Sequence, residues 1–160
     1  MSGALADRLM HFCSEHSNQI AEQWYKTIST NSKTLTYHTM LKENCLRHAE
    51  FILRNLEKVY FSENPFQEVA HLLDVDGFVE ERFAHNVPLD QVVYAIILLR
   101  RQLWLYAEFQ ALYSGVYDMM QMVDNINRVL LVFDYIIFIT VGKYRTMSME
   151  FSERKAVKAK

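Results

Sequence analysis

Three observations predict an all-α fold. The chain has 4 Gly and 2 Pro in 160 residues, too little of the material that tight hairpins are made from. Apolar residues recur three and four apart along most of its length, the spacing of one helix face. No segment carries the period-two alternation of a half-buried strand. The length suits one domain, and a hydrophobic content of 51% can fill its core.

The first helical stretch runs from Ala4 to Thr30, with Leu5, Leu9, Phe12, Ile20, Trp24 and Ile28 on its apolar side and Ser17-Asn18 as a point of bending. A polar loop, Ser29 to Thr34, separates it from a second helix over Tyr37 to Phe61, striped by Leu41, Cys45, His48, Ala49, Ile52, Leu56 and Val59. Asn64-Pro65 starts a third: the Asn side chain caps free amides and Pro has φ preset for a first turn. That helix reaches His85, and Gly77 divides it.

Asn86 reads as a left-handed helix stop, and Val87-Pro88 opens a fourth helix to Leu112, apolar on more than one side. Ser114-Gly115 breaks the chain. The last helix starts near Val116 and runs to the end unless Gly142 bends it. Its apolar density is high from Val129 to Val141 and falls after Tyr144. Residues 1–145 therefore read as a helical domain and 146–160 as an extension or linker, with Lys155, Lys158 and Lys160 as a solvated tail.

The Val129–Val141 stretch is interrupted by Asp134, flanked by Arg128 and Lys143, and shorter than the roughly 20 apolar residues of a membrane span. A buried helix without membrane insertion is expected. The start of the chain lacks the basic-then-apolar pattern of a secretory signal, and Cys13 and Cys45 are too few and too far apart for a disulfide framework. A reducing, cytoplasmic setting fits both. A net charge of −2 argues against a nucleic-acid footprint.

Motifs of common enzyme classes are missing: no GxxxxGK[ST] loop, GxGxxG turn, HExxH pair or GxSxG elbow. A non-enzymatic role is expected. Cys13 with His16, and Cys45 with His48, share helix faces, but two ligands do not make a zinc site. His11 and His16 lie about 140° apart on a helix. Glu80 and Glu81, adjacent on a helix, point apart and do not form a catalytic pair. Asp134 interrupts an apolar helix and is expected to form a buried ion pair with Arg100 or Arg101. Trp24, Phe83, Ile96, Trp104 and Phe133 are core aromatics and aliphatics by default, and the candidate lining of an apolar ligand pocket.

Trp24, then Tyr37, then the run Arg82-Phe83-Ala84-His85-Asn86-Val87-Pro88-Leu89-Asp90-Gln91-Val92, then Leu99-Arg100-Arg101-Gln102-Leu103-Trp104, then Phe133-Asp134 and Tyr144, form an ordered set. It resembles the N-terminal domain of RsbR-type RsbT co-antagonist proteins, found at the front of stressosome proteins and of some sensor histidine kinases. The resemblance spans about Ile20 to Arg145. It implies a globin-like sensor fold, usually without haem, that forms a homodimer and signals through an extended last helix. The recipient is a C-terminal STAS or kinase effector. Some globin-like relatives hold a fatty acid where haem would sit.

The run ending in Asn86-Val87-Pro88 also resembles the turn after the proximal-histidine helix of bacterial globins. There the iron-binding histidine lies four residues before the turn residue; here that place holds Arg82, and His85 lies on another helix face. No cofactor and no metal is expected. The alternative is a haem- or fatty-acid-binding sensor, with His48, His71 or His85 as the haem ligand.

Overall fold

The computed structural model describes the backbone of residues 4–109 and 116–160, and the side chains of 4–107 and 119–160. Among these residues all regular structure is helical, with no strand. The helices are α1 (Ala4–Glu15), α2 (Ser17–Ile28), α3 (Lys42–Tyr60), α4 (Pro65–Asp76), α5 (Phe78–Ala84), α6 (Leu89–Phe109) and α7 (Val116–Lys158), with a 3-10 turn at Leu35–Thr39. The all-α class and the long last helix are as the sequence predicts. The expected break at Ser114-Gly115 lies outside the described residues.

Local chemistry explains the boundaries. The first helical stretch divides at His16, one residue before the expected bend, and α2 ends where the Thr34 hydroxyl donates to the Ile28 carbonyl over 2.7 Å. The second expected helix starts later, because Tyr37 belongs to the 3-10 turn and α3 begins only at Lys42. Asn64 caps α4 by accepting from the Gln67 amide, with Pro65 in the first turn. Gly77 and Asn86 both take positive φ, 71° and 56°, closing α4 and the turn after α5. Gly142 leaves α7 unbroken.

α3 packs on α1, α2 and α4, while α6 and α7 close the core against α2, α4 and α5. Apolar residues of every helix meet in one cluster, among them Leu9, Ile20, Leu53, Leu73, Val92, Leu103 and Phe133. Burying a side chain the size of Phe133 contributes about 1.5–3 kcal/mol. Polar locks fix the helices against each other. The Trp24 indole donates to the Ala95 carbonyl over 2.8 Å, tying α2 to α6. Tyr60 donates to Asn125 over 2.8 Å, and the Arg128 guanidinium to the Tyr60 carbonyl over 2.7 Å, tying α3 to α7.

α7 has two parts. Val129, Val132, Phe133, Ile136, Thr140 and Tyr144 are buried, whereas every residue from Ser148 onward is exposed. By length and composition alone this helix is apolar enough to cross a membrane, and a third of its most apolar 18-residue window is buried within the fold.

One expectation is corrected here. Arg100 and Asp134 do pair, at 3.5 Å, but on the surface: the Asp134 side chain is 62% exposed. Arg101 is exposed and on another face of α6. Asp134 directly follows the buried Phe133, so a turn of about 100° carries it out of the core. An apolar helix touched by the core on one side only leaves room for a charge on the other.

Candidate functional site

The densest polar chemistry lies where α3, α4, α5 and α7 meet. Gly77 creates the corner: its amide donates to the Leu73 carbonyl at the end of α4, and its own carbonyl accepts from the Glu81 amide at the start of α5. Its left-handed φ favours glycine even though nothing lies within 4 Å of where a Cβ would stand. The corner sends the adjacent acids of α5 in opposite directions, as the sequence predicts. Glu80 faces α7, where Lys143 donates to it over 2.6 Å; Glu81 faces α3.

His48 of α3 is the centre of the inner side. Its Nδ1 lies 2.7 Å from Asp76 Oδ2 and its Nε2 2.7 Å from Glu81 Oε2, with the His48 and Asp76 side chains 3% and 5% exposed. A neutral imidazole has one N–H, so donating to both carboxylates requires the imidazolium. Arg47 Nη2 lies 3.0 Å from Glu81 Oε2 and 3.3 Å from His48 Nε2. Next to Glu81, Arg82 is fully buried, with Nη1 3.5 Å from Glu81 Oε1 and its guanidinium 5.4 Å from the Tyr37 ring centre. On the outer side Lys143 also donates to Asp74 over 2.6 Å. Arg47, His48, Arg82 and Lys143 thus face Asp74, Asp76, Glu80 and Glu81.

The surroundings tune these groups. Burial raises the Glu81 carboxyl, but the hydrogen bond and charge of His48, with Arg82 and Arg47, outweigh it and hold the group below its ordinary 4.5. Burial likewise lowers Lys143, and its bonds to Asp74 and Glu80 prevail, keeping it above 10.5. Burial pushes Tyr37 up to about 12 against the opposing charge of Arg82. The Cys45 thiol rises for the same reason, Arg82 opposing and Glu81 adding. Burial and Tyr37 raise the Tyr144 hydroxyl, which donates to the Val87 carbonyl over 3.1 Å. Cys13, outside the cluster, is pushed up to about 12 by burial. Protonated thiols and phenols are weak nucleophiles.

The other expected site residues are placed as follows. Trp24, Ile96 and Phe133 are in the core cluster, and Phe83 and Trp104 pack partly buried against it. None of the five lines the open cleft of about 750 Å³ between Tyr60, Phe61, Asp124 and Arg128, or that of about 590 Å³ along α3 between Leu46, Phe51 and Val75. Of the three candidate haem ligands, His48 has both nitrogens engaged, and His71 and His85 are exposed. Among the described residues no three His, Cys, Asp or Glu side chains converge as a metal site.

Sequence reasoning names His48 as part of a stripe, beside Cys45 and as a candidate haem ligand, Lys143 as the flank of an apolar run, and Arg82 as part of the family-like run and the occupant of a histidine's place, but it does not bring the three together. The available signal was the density of charge around Gly77: Asp74, Asp76, Glu80, Glu81 and Arg82 fall within nine residues.

No curated protein and no solved structure matches the chain. A family does: the one described as Histidine kinase N terminal matches residues 6–146, nearly the whole helical domain and the anchored part of α7. The chain belongs to the histidine kinase N-terminal family, and its place in biology is that of a sensory domain of signal transduction.

Proposed function

We propose that the chain is a non-enzymatic, cytoplasmic input domain that delivers its signal through α7 to a C-terminal effector. The two-part character of that helix carries the reading: its middle is clamped by the core and by Lys143, and its end projects free of the domain. Packed helices shift between discrete arrangements, so rotation or sliding of the clamped part is passed along the rigid helix to whatever follows. Family membership favours a kinase module as recipient, and the resemblance to RsbR-type proteins extends this to STAS modules and a stressosome setting. The same resemblance supports a globin-like arrangement without haem. We read the apolar segment of α7 as a core helix rather than a membrane span, on the burial of Val129, Phe133 and Ile136.

The homodimer belongs to this reading. Met120, Val123, Leu131, Phe138 and Val141 are exposed along α7 at spacings of three, seven or eight, as positions on one helical stripe. Exposed apolar area of this kind marks association, and a second copy would cover it with two-fold symmetry. Sedimentation at micromolar concentration is expected to give twice the chain mass of 18.9 kDa. For signal output, Met149→Pro in the protein carrying its effector should uncouple input from output and leave the domain folded, because the proline breaks only the projecting part. Normal signalling by that variant would reduce α7 to a tether.

A further inference from the structure

We propose that His48 is a proton-operated latch, holding α5 against α3 when charged and loosening it when neutral. The inference rests on the proposed route through α7 and adds what acts on it. The groups facing the ring are Arg47 from α3 itself, Asp76 from α4, and Glu81 with the ring of Phe78 from α5; Arg82 of α5 stands behind Glu81. The charged imidazolium donates to Asp76 and Glu81 at once, bridging three helices from a buried position.

Loss of the proton does not affect the two bonds alike. Arg47 Nη2, 3.3 Å from Nε2, can donate into a lone pair there; no cation is placed so at Nδ1 among the described residues. The neutral ring therefore keeps its hydrogen on Nδ1 toward Asp76 and turns the Nε2 lone pair to Arg47. The bond that breaks is the one from Nε2 to Glu81, where two lone pairs would face each other at 2.7 Å. α3 stays tied to α4, and its polar hold on Glu81 of α5 is reduced to the exposed Arg47 at 3.0 Å. α5 carries Glu80, one of the two acids that hold Lys143 of α7. Rising pH removes the proton from an imidazolium, so the latch opens in that direction.

Nitrogen-15 NMR of the whole chain, followed from acid to mildly alkaline pH, tests this on the unmodified protein. The expected result is an imidazolium with both nitrogens protonated, then loss of the Nε2 proton only, with amide shifts in Phe78–Ala84 and around Lys143 following the same curve. In Glu81→Gln those amide shifts should disappear while His48 still titrates. A ring that does not titrate, that loses the Nδ1 proton instead, or that titrates with α5 and α7 silent overturns the latch. Amides that move as expected support it even where an attached effector stays silent; that silence would count against the output route instead.

Discussion

The Lys143 ammonium donates to Glu80 over 2.6 Å, so the helix that leaves the domain is fastened to the residue next to the one that pairs with His48. Two adjacent acids on α5 thereby connect the interior to α7.

That fastening is strong in geometry and modest in energy, since Asp74 and Glu80 are 67% and 47% exposed. Lys143→Gln is expected to cost about 0.5–1 kcal/mol of stability by urea denaturation, less at high salt. A loss above about 3 kcal/mol would place the pair in the class of buried bridges. Because the folded state keeps Lys143 above 10.5, the contribution is complete at neutral pH and is lost only as pH rises past that value.

Arg82 is a different case. It is fully buried, and its Nε has no partner among the described residues. Arg82→Ala leaves a cavity and removes a counter-charge from Glu81, and the expected loss is about 3–5 kcal/mol. Thermal or urea unfolding within about 0.5 kcal/mol of the parent, the range of surface changes, would contradict this placement.

Glu81 gives an acid-side signature. Its folded-state carboxyl lies below 4.5, so its contribution is present above that value and is lost as pH falls through the lowered one. Glu81→Gln should be less stable at neutral pH and lose stability less steeply between about pH 5 and pH 3. An unchanged acid slope in a urea series would mean that Glu81 is not held ionised by His48 and the two arginines.

Asp134→Asn is expected to change stability by no more than about 0.5 kcal/mol, since its contact with Arg100 is exposed and long at 3.5 Å. A loss near 3 kcal/mol would return the residue to the core.

The helices were legible because their signals are local. The Asn64 cap, Gly77 and Asn86 act within one turn of chain, and apolar spacing reports the buried face of α3 directly. Burial of a charge is not local. Asp134 and Arg82 both interrupt apolar surroundings, yet one is at the surface and the other inside, decided by which helix face a neighbour covers. The His48 site was illegible for the same reason: its partners lie 28 and 33 residues away, Asp76 at the end of α4 and Glu81 on α5 beyond the Gly77 corner. Glu80 and Glu81 were read correctly as pointing apart, but only the fold supplies what each one points to.

The most direct test of output through α7 is an insertion series after Met149 in the protein carrying its effector. Each added residue turns the projecting helix by about 100°, and seven restore nearly the same face after two turns. If α7 transmits rotation, output should change sharply with one to three added residues and recover near four and seven. Output that is indifferent to insertion, or that falls steadily with length, would contradict transmission through this helix.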